Sequence, residues 1–545
     1  MDHYLLKLER TVQSCWDMLS VCDYKGEQFT FGQMATNIEK LHIFFDGAGI
    51  KKGDKIALCA KNTARWAVSF FAINTYEAIV APILYDFHPE SINQLVDHCE
   101  AKILFADPEL FEKLDVEKMP QLKCVISAKD FTLLYSREPE IKDVYDNLNS
   151  AFEKKYPMGF GRENVHYPIN NDKDISIINY TSGTTSSPKG VMIRYECTSA
   201  MVEYGQTHMP VKPGETLVSM LPMAHMYGLT FELIYPLCSG VNIYFFGKTP
   251  SPSVLLKAMS EIRPYMVITV PLVMEKVYKS SIKPALNKLK GILWIPGLNN
   301  LIYRKVREKL QAAFGGQVRN FIMGGAALNP EVDKCFSRIK LNYMVGYGMT
   351  EAAPLLAYAG PDTYVPGSCG RPVDYSEVRI DSEDPEHIAG EIQARGMNIC
   401  SGYFKNEEAS ATAFTEDGWL RTGDLGIMDA QKNIFIRGRS KSMILSANGQ
   451  NIYPEELEAI INQQPYVLES VVVDRSSKLV ALVVLDQEAI KKAKLDAEAV
   501  SDIPETLRVT ANRNLPAYSQ ITKVEVMSTP FEKTPKMSIK RFMYK

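Results

Sequence analysis

The chain has 545 residues, 46% hydrophobic and 23% charged, with a formal net charge of −3 at pH 7. One compact core does not grow to that length, so at least two domains are expected. The near-neutral balance offers no basic field for nucleic acid or an anionic surface. Ten cysteines without any C-x-x-C spacing argue against a zinc ribbon or dithiol site and suit a reducing cytoplasm.

In chain order, Met1–Arg10 carries Asp2, Lys7, Glu9 and Arg10 and lacks the apolar run of a signal peptide. An amphipathic helix is predicted over Phe31–Ala48, and Gly49 to Asp54 turns it into a strand at Lys55–Cys59. Ala67–Leu84 is the most apolar stretch, but Asn74 and Glu77 make it too mixed to span hydrocarbon. It is read as a buried helix leading into a strand at Ala78–Ile83. A helix over Glu90–Cys99 and strands over Lys102–Phe105 and Leu122–Ile126 continue the alternation. Alternating strands and helices predict an α/β fold of parallel-sheet layers covered on both faces.

The strongest local signal is Tyr180-Thr181-Ser182-Gly183-Thr184-Thr185-Ser186-Ser187-Pro188-Lys189-Gly190-Val191, which follows the strand Ile175–Tyr180. Hydroxyls, glycines and one lysine supply the convergent donors and the point charge that a polyphosphate needs. It is no Walker loop, because Gly-Lys-Ser/Thr does not open a helix here, and composition alone would leave a polar hairpin equally good. Leu221 to Gly228 sets His225 among methionines, where a core histidine and a ligand contact are about equally good readings. Gly324-Gly325-Ala326-Ala327 follows the strand Asn320–Met323, and its small residues would let a flat ring approach backbone. Tyr347-Gly348-Met349-Thr350-Glu351 offers an aromatic face, a hydroxyl and a carboxylate within five residues. Asp424 lies in a glycine-flanked segment read as a turn. Arg439 and Lys441 follow where a strand ends in a basic, polar stretch. Beyond them the texture changes: Pro454 opens a helix, Ser470–Val473 and Leu479–Leu485 form a hairpin, and Ile521–Met527 adds a strand. This gives a domain of residues 1–438 and a small α+β domain of residues 439–545.

The order of these motifs resembles the adenylate-forming superfamily of acyl-CoA synthetases, luciferases and peptide-synthetase adenylation domains, over about residues 26 to 545. The likeness implies a two-step reaction in which ATP activates a carboxylic acid as an acyl-adenylate and a thiol then displaces AMP. It assigns the phosphates to Thr181, Ser182, Gly183, Thr184, Thr185 and Lys189, and the adenine to Gly324, Gly325, Ala326, Tyr347 and Gly348. It gives Thr350 the α-phosphate, Glu351 the Mg2+, and Asp424 and Arg439 the ribose. His225 would line the acyl pocket. Lys441 would be the hinge of a mobile C-terminal domain, and Gly449 would come to line the coenzyme A tunnel. One departure is Ser186, where the family usually has glycine. Val270–Tyr278 resembles the matching phrase of long-chain acyl-CoA synthetases, with Leu272 where arginine is usual. A medium- or long-chain fatty acid, ATP, Mg2+ and coenzyme A are therefore expected in a cytoplasmic protein, and peripheral membrane contact is compatible with the likeness. An acyl carrier protein as acceptor, or a non-catalytic acyl- or nucleotide-binding relative, are the alternatives.

The family also carries a lysine near the C-terminus that bridges the two anions during adenylation. Aligning Lys533-Thr534 and Ile539-Lys540-Arg541 with it puts Ser538 at that position, and Lys536, two residues earlier, is the expected surrogate.

Overall fold

The computed structural model describes residues 1–181, 189–247, 251–289, 291, 298–445, 451–475, 478–513, 515–516, 519–533 and 539–544. Helices begin where the sequence supplies caps. Thr30 accepts from the Gln33 amide at 3.1 Å while the Gln33 side chain accepts from Thr30 at 2.9 Å, a reciprocal box that starts Phe31–Gly47. Thr63 caps Ala64–Thr75 in the same manner, accepting from Trp66 at 3.1 Å.

That second helix is buried along its whole length. Trp66, Phe70 and Phe71 are fully covered, and such side chains contribute roughly 1.5–3 kcal/mol each by leaving water. Its one amide, Asn74, accepts from the Tyr4 hydroxyl and donates to the Ser176 carbonyl at 3.0 Å. The polar interruption is thus satisfied inside protein, and the strand Ile79–Pro82 follows as expected.

Two seven-stranded sheets form the large body. The first runs Leu133–Ser136, Cys124–Ser127, Ala101–Ala106, Lys55–Cys59, Ile79–Pro82, Ile175–Thr181, Lys189–Arg194 in spatial order. The second runs Tyr343–Val345, Asn320–Met323, Met266–Thr269, Thr216–Val218, Asn242–Phe245, Leu19–Asp23, Gln28–Thr30. The central strands are parallel, but both edges of the first sheet and one edge of the second are antiparallel. The parallel centre is the layering expected from the alternation of strands and helices, and the antiparallel edges arise where hairpin connections such as that between Asp23 and Gln28 are too short for a parallel crossover. One large apolar cluster joins residues of both sheets, with Trp66, Phe70 and Ile177 meeting Phe231, Ile243 and Ile268.

A four-stranded antiparallel sheet (Ser376–Asp381, Gly390–Gly396, Leu420–Met428, Ile434–Arg439) follows. After it, Val467–Arg475 pairs antiparallel with Lys478–Leu485, which pairs parallel with Lys523–Val526. This small sheet has its own apolar cluster, including Ile452, Leu457, Ile461, Val483 and Leu507.

Candidate functional site

Thr181 and Lys189 are register partners at the open end of the pair Ile175–Thr181 and Lys189–Arg194. Ser182, Gly183, Thr184 and Thr185 lie between them, outside the described residues. Alongside Lys189–Arg194 runs the segment Cys400–Phe404, tied on by Met192 N–H to Gly402 at 3.0 Å, Ser401 N–H to Met192 at 2.9 Å and Phe404 N–H to Gly190 at 2.8 Å. Gly402 has φ of +112°, which a side chain would resist, and this twist seats Tyr403 against the lysine. The Lys189 ammonium lies 4.8 Å from the centre of the Tyr403 ring, and the Tyr403 hydroxyl donates to Glu351 Oε1 at 2.9 Å. Lys189 and Glu351, far apart in sequence, are thus joined through one side chain.

Glu351 follows Thr350 in a short 3-10 turn, Thr350–Ala352, and its carbonyl accepts from Cys400 N–H at 2.8 Å. Both residues are half-buried. Among the described residues, nothing hydrogen-bonds Glu351 Oε2. A magnesium ion takes one or two carboxylates and draws its remaining ligands from phosphate and water, and a lone half-engaged carboxylate of this kind fits it.

A second constellation forms around Asp424. Tyr347, almost fully buried, donates its hydroxyl to Asp424 Oδ2 at 2.8 Å, and Arg439 Nε lies 3.1 Å from Oδ1. Asp424 does not occupy a turn, as the sequence suggested. It is inside the strand Leu420–Met428, opposite Arg439 in register, because Gly423 at φ +70° takes up a bulge after which the pairing resumes at Leu425. Burial pushes the Asp424 carboxyl upward, with Arg439 and Tyr347 opposing that shift. Arg439 keeps its side chain 64% exposed, so its fork can reach a ligand as well as the aspartate.

Gly324 and Gly325 follow the carboxyl end of Asn320–Met323, with Gly324 N–H donating to the Thr269 carbonyl at 3.2 Å. A side chain at Gly324 would press on the Tyr227 ring at 3.1 Å, while beside Gly325 there is open space. Ala326 continues this loop, and Gly348 leaves the neighbouring short strand Tyr347–Gly348. These residues gather at the carboxyl ends of parallel strands, the usual crevice of open α/β sheets.

His225 is half-buried, and its backbone amide donates to Pro222 at 3.0 Å. Three side chains that sequence reasoning passed over hold its segment. Asn62 donates to Leu221 O at 2.7 Å and accepts from Met223 N–H at 3.1 Å, and Asn179 donates to Ala224 O at 2.9 Å. Glu232, fully buried, accepts from the Ser219 hydroxyl at 2.9 Å and from the amides of Met220 and Leu221 at 3.1 and 2.9 Å. Burial pushes its carboxyl up to about 8 despite those donors. A single acid within Leu229-Thr230-Phe231-Glu232-Leu233-Ile234 was the available signal.

Lys441 is exposed in the turn between Ile434–Arg439 and Ile444–Leu445. Gly449, Lys536 and Ser538 lie outside the described residues. The chain flanking the last two is pinned. Lys533 bridges to Ile539, Lys533 Nζ lies 2.6 Å from Glu469, and Arg541 donates to both oxygens of buried Glu458, to Oε1 at 2.6 Å. All ten cysteines are buried, and burial pushes thiols such as Cys22 and Cys400 up to about 12, so none is an activated nucleophile.

Two sheets with a glycine-rich strand end, a glutamate and a small C-terminal sheet define the architecture of adenylate-forming enzymes. Solved structures share it: ATP-bound MatB from Rhodopseudomonas palustris superposes with a TM-score of 0.78 at 20% identity, covering 100% of this chain and 98% of that one. The anthranilate CoA ligase AuaEII, solved with anthranoyl-AMP, gives 0.79 at 20% identity over 99% and 96%. The family model described as AMP-binding enzyme matches residues 8–404, and the AMP-binding enzyme C-terminal domain matches residues 441–544. The chain belongs to the AMP-binding enzyme family. Among curated relatives, the long-chain-fatty-acid–CoA ligase FadD15 of Mycobacterium bovis is 27% identical over 94% of this chain and 89% of its own length. Long-chain-fatty-acid–CoA ligase 5 of Rattus norvegicus is 28% identical over 80% and 67%.

Proposed function

We propose that the protein is a fatty acyl-CoA synthetase, converting a medium- or long-chain fatty acid, ATP and coenzyme A to acyl-CoA, AMP and pyrophosphate. The observation that carries this reading is the convergence of Lys189 and Glu351 on Tyr403 at the open end of the Thr181–Lys189 pair. It supplies the cation and carboxylate that a magnesium–polyphosphate needs, and the relatives named as long-chain fatty-acid ligases supply the substrate class.

In this reading a fatty carboxylate oxygen attacks the α-phosphorus, the bond to the bridging oxygen of pyrophosphate breaks, and acyl-AMP forms. Thr181 and Lys189 hold phosphate oxygens, and Thr350 donates to the α-phosphate. Tyr347 and Gly324 to Ala326 bound the adenine, with Gly348 beside them. Asp424 accepts from the ribose hydroxyls, and Arg439 stays bound to both. Mg2+, held by Glu351, would neutralise phosphate charge when bound. His225 faces the acyl group, and Lys536 takes the place of the family cation. The coenzyme A thiolate then attacks the acyl carbon, forming C–S as C–O breaks and AMP leaves. Rotation of residues 439–545 about Lys441 would exchange the Lys536 region for the Gly449 loop between the two steps.

No helix among the described residues is long and apolar enough to cross a membrane. Exposed Leu272, Leu298 and Leu301, on helices that also carry Lys276, Lys305 and Lys309, support peripheral contact with a surface that holds fatty acid. Pyrophosphate release across a panel of carboxylates tests the assignment. Release that is greatest with medium- or long-chain fatty acids, followed by AMP release on adding coenzyme A, supports it. Release with no fatty acid contradicts it.

A further inference from the structure

Tyr403 belongs to none of the motifs that point to ATP, yet among the described residues it is the side chain that touches both charged groups of the candidate phosphate site. Its ring carries the Lys189 ammonium at 4.8 Å, and its hydroxyl donates to Glu351 at 2.9 Å. Lys189 and Glu351 form no ion pair with each other or with any other described residue. Opposite charges on flexible side chains that meet the same residue would pair directly if it were absent, and a paired lysine and glutamate each offer less to an incoming ligand. The aromatic ring satisfies the ammonium through its face, and the phenol satisfies one carboxylate oxygen while leaving the other open.

The backbone that carries the ring is fixed from behind. Tyr403 N–H donates to the Ser410 hydroxyl at 2.9 Å, and its residue bridges to Val191 in the neighbouring strand. Ser410 in turn donates to Asn406 O at 2.7 Å at the start of the helix Glu407–Ala413, so the tyrosine is held by a folded element and not by the two charges it separates.

We propose that Tyr403 is a positioning residue that acts as a spacer, keeping Lys189 and Glu351 apart and presented to the polyphosphate and its cation. This rests on the function proposed above. In the free protein the spacer holds both charges ready. When the magnesium–nucleotide binds, Lys189 turns from the ring to phosphate oxygen, and Glu351 offers its open oxygen without first breaking an ion pair.

The test is calorimetric binding of ATP to the full-length protein with and without Mg2+, in wild type, Tyr403→Leu and Tyr403→Phe. Tyr403→Leu removes both contacts and lets the charges collapse together, so its dissociation constant for MgATP should rise at least tenfold. Tyr403→Phe keeps the ring under Lys189 but releases Glu351. Its affinity for ATP alone should stay within twofold of wild type, while the tightening caused by Mg2+ falls severalfold. A merely structural tyrosine would move neither the magnesium dependence nor the difference between the two variants. If Tyr403→Leu does not fold, Tyr403→Phe decides alone. Wild-type affinity and wild-type magnesium dependence in both variants, or in Tyr403→Phe alone when the other fails to fold, overturn the spacer while leaving the proposed function standing. A wild-type protein that binds no MgATP overturns both.

Discussion

Glu232 is the most exacting place to perturb this fold. Three donors converge on its carboxyl. Glu232→Ala leaves the Ser219 hydroxyl and two amides buried without a partner. At ~1–3 kcal/mol for each orphaned group, less what is regained by removing a buried acid, the loss should be about 3 kcal/mol. For a domain this large that lowers the melting temperature by roughly 5 °C. Glu232→Gln keeps one acceptor oxygen in place and should lose only about 1 kcal/mol. The pH dependence separates the two causes. The carboxyl is raised from 4.5 to about 8 by burial, so the folded state holds its proton more tightly than the unfolded chain. Its stabilising contribution is therefore fully present below pH 4.5 and is lost as pH rises through 8. At ~1.4 kcal/mol per pH unit the whole span is worth at most ~5 kcal/mol. Melting of wild type and Glu232→Gln compared from pH 5 to pH 8.5 should show the wild type losing ground to the variant as pH rises. Because Glu232 fixes the residues just before Pro222 to His225, Glu232→Ala should also raise KM for the acid more than KM for ATP. A flat difference curve, with Glu232→Ala as stable as wild type, would refute the assignment of a buried, protonated brace.

Lys189→Ala and Glu351→Gln should each slow pyrophosphate exchange at least tenfold without lowering the melting temperature, since one charge-stabilising group typically contributes ~2.7–4 kcal/mol. Lys536→Ala should abolish adenylate formation yet spare thioester formation from supplied acyl-AMP; a silent Lys536→Ala together with a faster Ser538→Lys would assign the site to Ser538. Arg541→Ala removes both donors from the buried Glu458 carboxyl, which then takes up a proton, and should destabilise the small sheet by ~1–3 kcal/mol, read as a lower midpoint in urea. Glu458 sits at about 7 even beside Arg541, its carboxyl raised by burial.

The alternation of strands and helices was legible because each strand is short, β-branched and bounded by turn residues. Asn320–Met323 and Lys55–Cys59 fall where their patterns end. The antiparallel edges were less so, because Val191-Met192-Ile193 reads the same whichever way its neighbour runs, and direction is set by a loop too short to cross the sheet. Asp424 was legible as a ligand-type residue but not in its strand, since glycine on its N-terminal side signals a turn unless a partner strand continues the ladder. Tyr403 and Glu232 were invisible as bridging residues. Glu351 lies 52 residues from Tyr403 and Lys189 much further, the donors to Glu232 lie 11 to 13 residues away, and no local spacing encodes a contact made by tertiary packing.

Coupling of ATP to a fatty acid and then to coenzyme A is read most directly in the order of product release. Full-length protein incubated with ATP, Mg2+ and a long-chain fatty acid should release pyrophosphate and retain acyl-AMP, and coenzyme A should then release AMP and acyl-CoA in equal amounts. Pyrophosphate release that does not depend on fatty acid, or acyl-AMP that persists unchanged with coenzyme A present, would contradict the account.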